Sequence, residues 1–296
     1  MTRPLPFWRS LLYVPTTADR FVEGAASRGA DAIILDLEDS VPAADKDRAR
    51  ALIPEAAARV SRNGADVVVR INRPLRDCVR DLEACVLPGI AALCLPKAAG
   101  PDHVRLLSEL VGELEAERGL PAGGIRLVAM VETPAAVLDL RALAAADPRL
   151  VALTLGDEDF SNAIGAEPDA DALLSVKQSL IVAAAAAGVL PLGFLGSISD
   201  YADMDAFRAM VRRSRRMGYR GACCIHPKQV AVLNEEFSPR PEEVERARRV
   251  VAAAEAALAE GRGAAALDGR MIDAPVVQRA RALIAADEAI LSRARG

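Results

Sequence analysis

In this chain, charged residues recur where apolar runs stop. IRLVAM leads into Val131, and Glu132 follows with Thr133 and Pro134 behind it. DAIILDLED carries Asp36, Glu38 and Asp39, LVALTLGDED carries Asp157 and Asp159, and VVVRIN carries Arg70 and Asn72. AALCLPK closes on Lys97, and GACCIHP carries His226 just before its final proline. Carboxylates gathered at one place repel one another unless a cation or a basic side chain intervenes. Two protein carboxylates with waters and substrate oxygens are the usual way to hold Mg2+. The chain has only two histidines, His103 and His226, and no CxxC among its five cysteines. A metal here is therefore expected to be a hard cation on oxygen ligands. Glu132 and one of Asp157 or Asp159 are candidates to share it. In an extended strand those two aspartates face the same way and Glu158 the other, so spacing does not choose between them.

The basic residues have two readings each. Arg70 offers a fork that matches a substrate carboxylate. It can equally pair with Glu38 or Asp39, and both hold if those carboxylates orient it. Lys97 is a strand-end ion pair or a substrate contact. His226, just before Pro227, reads as a hydrogen-bonded structural group.

Something must bring these residues together. Strand-like runs (10–15, 31–39, 66–72, 91–97, 125–132, 150–159, 189–196 and 221–227) alternate with alanine-rich helical segments (17–28, 43–61, 77–86, 101–118, 134–147, 169–188, 202–217 and 227–236). Pro134, Pro101–Asp102 and Asp200 mark helix starts. Near-continuous apolar strands are buried on both faces, as in a parallel sheet covered by helices. Eight repeats over this length predict a (β/α)8 TIM barrel in residues 1–236, with its active site at the C-terminal strand ends. The strand ends then form one polar mouth, completed by Pro15, Gly196 and Ser197. No GxGxxG or GxxxxGK[ST] follows a strand, which removes support for the nucleotide folds. Residues 237–296 read as a helical arm: a helix over 239–261, a Gly/Ala linker over 262–269 and a helix over 271–290. The barrel does not need this tail to close, so it is an outer brace or an arm that packs on a neighbouring subunit.

Bulk properties exclude several classes. The 296 residues carry a net charge of −4 and only 3% aromatics, which argues against a nucleic-acid surface. No apolar run approaches the roughly 20 residues of a membrane span, and the start lacks a signal-peptide pattern. The odd cysteine count reads as buried thiols in a reducing cytoplasm.

RSLLYVP, ADAIILDLEDSV followed by Lys46 and Ala49–Arg50, VVVRIN, LPK, VETP, LTLGDEDF, CIHP and MIDAP, in that order, resemble the citrate lyase β-subunit (CitE-like) family. That family includes malyl-CoA, β-methylmalyl-CoA and citramalyl-CoA lyases and lies within the HpcH/HpaI aldolase superfamily. The resemblance spans nearly the whole chain. It implies a Mg2+-dependent enzyme that cleaves a carbon–carbon bond in a 3-hydroxyacyl-CoA to give a short acyl-CoA and a 2-keto acid. It implies Glu132 and Asp159 as metal ligands and Arg70 on the keto-acid part. Glu38 and Asp39 would support Arg70 or metal-bound waters, and Arg9 and Arg20 would meet CoA phosphates. Asp273 of MIDAP would be the acid/base, delivered from a neighbouring chain of a trimer or hexamer. From its context alone, before Ala274–Pro275, Asp273 reads as a helix N-cap. Two alternatives stand beside the lyase: a class II pyruvate aldolase on free hydroxy-keto acids, and an accessory subunit that binds a carrier protein.

Overall fold

A computed structural model describes residues 5–196, 198, 202–259, 261 and 264–293. Ser197 and Asp200, expected at a strand end and a helix start, lie outside the described residues. The chain divides into two compact units, Met1–Phe237 and Ser238–Gly296.

The first unit has eight parallel strands: β1 Ser10–Pro15, β2 Ala32–Asp36, β3 Asp66–Arg70, β4 Ile90–Leu95, β5 Arg126–Val131, β6 Leu150–Leu155, β7 Leu190–Leu192 and β8 Ala222–Cys224. Neighbours in sequence are neighbours in the sheet, and β8 returns to pair with β1. A parallel bridge between Leu192 and Gly221 joins β7 to the entry of β8 and closes the barrel. Gly221 is glycine for a reason of space: a Cβ there would lie 2.8 Å from the Trp8 carbonyl carbon and 3.1 Å from Arg9 Cα.

Around the strands run α1 Asp19–Ala25, α2 Lys46–Val60, α3 Leu75–Cys85, α4 Pro101–Glu117, α5 Pro134–Leu138, α6 Leu140–Ala144, α7 Asp157–Ile164, α8 Ala170–Ala187, α9 Met204–Met217 and α10 Pro227–Phe237. Alternate strand residues face opposite ways. Leu12, Ile33, Val69 and Leu93 pack outward under the helices, whereas Leu11, Ile34, Val68, Cys94, Val128 and Met130 fill the barrel interior. Helix α8 is apolar enough over 18 residues to span a bilayer by composition alone (mean hydropathy 1.4), yet Leu173, Leu180, Ala183 and Ala184 of its inner face are buried in the protein.

In this unit two sequence expectations are corrected. The run 150–159 is not one strand. It ends at Leu155, Gly156 turns the chain, and Asp157, Glu158 and Asp159 form the first turn of α7. Three acidic residues there suit the positive end of the helix dipole. The presumed helix over 134–147 is two short helices that meet at Asp139.

The second unit holds α11 Pro241–Ala259, β9 Ala265–Leu267, β10 Arg270–Ile272 and α12 Ala274–Arg293. The expected Gly/Ala linker is mostly a β-hairpin, with β9 and β10 antiparallel. Its turn residues Asp268 and Gly269 have φ of +52° and +71°, as a two-residue type I′ turn requires. Met271 and Ile272, expected in the last helix, belong to β10. Ala247, Val250, Ile272 and Ala280 form this unit's own small core.

Candidate active site

The polar mouth is the last rung of the inward-facing rows. Ile34 faces the interior, and Asp36 follows it two residues on. Val68 is followed in the same way by Arg70, and Met130 by Glu132. A strand that feeds a packed core for most of its length thus delivers a charged group where the core ends. Asp36, Arg70, Glu132, Asp159 and Tyr13 line one cavity of about 550 Å³.

Arg70 is the hub on one side. Its Nε and Nη2 donate to Asp36 Oδ1 and Oδ2, both at 2.7 Å. Its Nη1 lies 2.9 Å from Glu38 Oε2 and 3.5 Å from Asp39 Oδ2, and its guanidinium sits 4.9 Å from the Tyr13 ring centroid. The bidentate partner is therefore Asp36, with Glu38 and Asp39 at the outer edge. The phase of β2 was the available signal for Asp36. Burial acts to raise the Asp36 carboxyl, but the Arg70 hydrogen bonds outweigh it and hold it below its ordinary value. Burial raises Glu38 above its ordinary value. Glu38 Oε2 is buried and receives no hydrogen bond, despite the nearby guanidinium.

The loop that carries Glu38 is tied down from below. Lys46 Nζ donates to the carbonyls of Leu37 and Glu38, both at 2.6 Å. Asn72 Nδ2 donates to the Leu37 carbonyl at 2.9 Å and to Asp81 at 2.7 Å, and Asp81 in turn accepts from Arg50 Nε at 2.6 Å. Lys46, Arg50 and Asn72 thus hold the shape of the loop.

On the other side, the Lys97 amide donates to Glu132 Oε2. Lys97 Nζ lies 3.4 Å from Glu38 Oε1 and 3.3 Å from Asp159 Oδ2. The ion-pair reading of Lys97 is thus realised in the geometry, and it joins three loops of the mouth. Glu132 is 4% exposed. Its burial pushes the carboxyl up to about 7; the Lys97 amide pulls it down, while the charges of Glu38 and Asp159 push it further up. Gly156 makes room for it: a Cβ there would lie 2.5 Å from Glu132 Cγ and 2.8 Å from Cδ. Behind Glu132, Thr133 caps α5 by accepting from the Ala136 amide at 3.2 Å, and Pro134 occupies the first helical position.

Asp157 and Asp159 do not point the same way. Asp159 reaches Lys97, whereas Asp157 Oδ2 accepts from Lys177 Nζ at 2.6 Å. Lys177, on α8, also donates to the Phe194 carbonyl at 2.9 Å and is 1% exposed. Sequence reasoning missed it. The signal was its position: Lys177 falls on the same helix face as Leu173, Leu180 and Ala184, where a lysine needs a buried partner.

The remaining candidates separate. Arg9 is corrected as a cofactor contact on this mouth. It precedes β1, at the opposite end of the barrel, where its Nε and Nη2 bind both oxygens of Asp31 at 2.8 Å. Arg20 lies in the first turn of α1, after the C-terminal end of β1, exposed and stacked 4.5 Å over Phe21. His226 Nδ1 accepts from the Lys228 amide at 3.2 Å at the start of α10. In the second unit, Asp273 Oδ1 accepts from the Val276 amide at 3.2 Å, as an N-cap of α12 does.

A divalent cation fits the donors present. Glu132 and Asp159 line the same cavity, Glu132 is held above its ordinary carboxyl range partly by neighbouring negative charge, and the buried Glu38 Oε2 lacks a donor. Among the described residues no cluster of three or more His, Cys, Asp or Glu ligands occurs. The donor set is a carboxylate pair, which suits an ion that keeps several waters.

Comparison with known proteins identifies a family. Residues 9–227 match the HpcH/HpaI aldolase/citrate lyase family. The citrate lyase subunit beta of Leuconostoc mesenteroides subsp. cremoris is 32% identical over 272 residues, covering 91% of this chain and 89% of the relative. The L-malyl-CoA/beta-methylmalyl-CoA lyase of Rhodobacter capsulatus is 34% identical over 289 residues, covering 90% of each. The structure of CitE from Mycobacterium tuberculosis in complex with magnesium, acetoacetate and coenzyme A aligns with a TM-score of 0.73 at 31% identity, covering 94% of this chain and 97% of that one.

Proposed function

Because the chain belongs to the HpcH/HpaI aldolase/citrate lyase family, we propose that it is a CoA-ester lyase that cleaves, or forms, a 3-hydroxyacyl-CoA such as malyl-, methylmalyl-, citramalyl- or citryl-CoA. The observation that carries this reading is that Glu132, Asp159 and Arg70 line one cavity at the strand ends. Glu132 and Asp159 are the proposed holders of Mg2+. Bound there, the ion would supply Lewis acidity to the substrate hydroxyl that becomes the keto group.

The chain's own residues have the following parts. Arg70, fixed by Asp36 and Tyr13, binds the carboxylate of the keto-acid half and stabilises charge on the adjacent oxygen. Glu38 and Asp39 hold its outer edge. Cleavage moves the carbon–carbon bonding pair into the thioester enolate, and the hydroxyl passes its proton to solvent water as its oxygen becomes a carbonyl. Asp273, from a neighbouring chain of a homotrimer or hexamer, is the proposed proton donor to that enolate, and the base for the α-proton in condensation. Arg20 remains the candidate for the CoA phosphates.

The test is to incubate purified protein with the four thioesters, with and without Mg2+, and to measure acyl-CoA and 2-keto acid together. Stoichiometric release of both with one thioester supports the lyase. Turnover of free hydroxy-keto acids without any CoA ester would establish the aldolase instead. Activity only after a carrier protein is added would make the chain an accessory subunit.

A further inference from the structure

Lys177 lines the same cavity as Glu132, Asp159 and Arg70, yet it is among the most deeply buried large side chains. Its ammonium bonds two elements at once: Asp157 in the first turn of α7, and the Phe194 carbonyl just past β7. Both partners are delivered by glycine turns. Gly156 ends β6 and starts α7. Gly193 has φ of +145°, and a Cβ there would lie 3.0 Å from the Tyr219 ring, which is itself buried. These turns are held by their own amides, Gly156 to the Val131 carbonyl at 3.0 Å and Gly193 to the Gly221 carbonyl at 2.8 Å, but neither bond ties the start of α7 to the end of β7. The Lys177 bridge does, because an ammonium at 2.6 and 2.9 Å from two acceptors leaves little freedom to either. Asp159 lies two residues after Asp157 in the same turn, so whatever holds Asp157 also sets the direction of Asp159.

We propose that Lys177 is a positioning residue: through Asp157 it locks the first turn of α7 against β7, so that Asp159 faces Glu132 across the mouth. This rests on the reading of Glu132 and Asp159 as the metal carboxylates. Lys177 bonds Asp157 and the Phe194 carbonyl, not Glu132 or Asp159. A partner that orients a ligand from behind typically changes metal affinity 10–100-fold when removed.

The test uses Mn2+ as a paramagnetic probe of the full-length protein, with free Mn2+ read by electron paramagnetic resonance and folding by thermal melting. Lys177→Met alone strands a buried carboxylate and is expected to melt early. The double variant Lys177→Met/Asp157→Asn removes both charges and leaves none unpaired. It is expected to melt within a few degrees of wild type but to bind Mn2+ roughly 10–100-fold more weakly. A double variant with both wild-type melting and Mn2+ affinity within twofold of wild type would overturn the proposal, and so would one that does not fold, since the pair would then be structural only. Glu132→Gln in the same titration separates the two ideas. If it binds Mn2+ as tightly as wild type, the ligand assignment itself fails. If it loses binding while the double variant does not, only the role of Lys177 falls.

Discussion

The Lys97 amide points at the Glu132 carboxylate because Lys97 sits in the left-handed region, with φ of +47°. Only Lys97 and Asp268 do so among the described non-glycine residues. A left-handed residue with a Cβ costs roughly 1–2 kcal/mol, and such strain persists where the surroundings over-determine it. Here the side chain supplies that constraint: its ammonium lies between Glu38 and Asp159 while its amide serves Glu132.

Backbone and side chain can therefore be separated. Lys97→Gly and Lys97→Ala both delete the ammonium, but only glycine relieves the backbone. The Gly variant should be more stable than the Ala variant by about 1 kcal/mol, read as a higher Tm. Both should lose lyase activity to a similar degree. Equal Tm values would mean that the left-handed turn carries no strain.

Arg70→Lys keeps the charge but cannot fork onto Asp36 and onto the substrate carboxylate proposed for it together. Turnover should fall on the order of 10²–10³-fold. The check is steady-state kinetics with the preferred thioester, with the near-ultraviolet circular dichroism spectrum confirming the fold. Unchanged kinetics would reduce Arg70 to an ion-pair role.

Stability at low pH should depend on Glu115, far from the mouth. Its burial acts to raise the carboxyl, but hydrogen bonds from Arg149 and from the Ile125 and Gly123 amides outweigh burial and hold it below its ordinary value. A depressed carboxyl gives stability that is present above the unfolded value near 4.3 and is lost as pH falls through the folded value. Glu115 and Arg149 are 1% and 13% exposed, so Glu115→Gln should cost about 3–5 kcal/mol at neutral pH. Its Tm should also vary less with pH than that of wild type below about pH 5. Parallel Tm curves for the two proteins from pH 7 to 3 would contradict this.

The barrel was legible because its signals repeat. Eight apolar runs, each followed by a helical segment, leave few other folds, and the inward phase of each strand carries straight on to Asp36, Arg70 and Glu132. What escaped depended on single residues. Gly156 looks like part of a strand until the close approach of Glu132 explains it, and by then Asp157 and Asp159 have parted company. The Asp268–Gly269 pair was a hairpin signal in plain view, masked by the alanines around it. Lys177 hid in an alanine-rich helix beside the polar Ser175, Gln178 and Ser179; only the face it occupies marks it.

The last prediction concerns Asp273. It caps α12 in its own unit, and we propose that it also serves as the acid/base of a neighbouring barrel. Asparagine caps a helix about as well as aspartate, whereas alanine costs about 1 kcal/mol. Asp273→Asn should therefore leave Tm unchanged and abolish activity, while Asp273→Ala abolishes activity and also lowers Tm. If the aspartate acts across a subunit interface, Asp273→Asn chains mixed with Glu132→Gln chains should regain activity, since some hybrid interfaces join an intact barrel to an intact arm. In a randomly reassembled oligomer about one quarter of sites are wholly intact. Recovery toward that fraction, appearing only after subunit exchange, is the expected result. No recovery despite exchange shown by mass spectrometry would place Asp273 in its own chain's chemistry, or leave it as the helix cap alone.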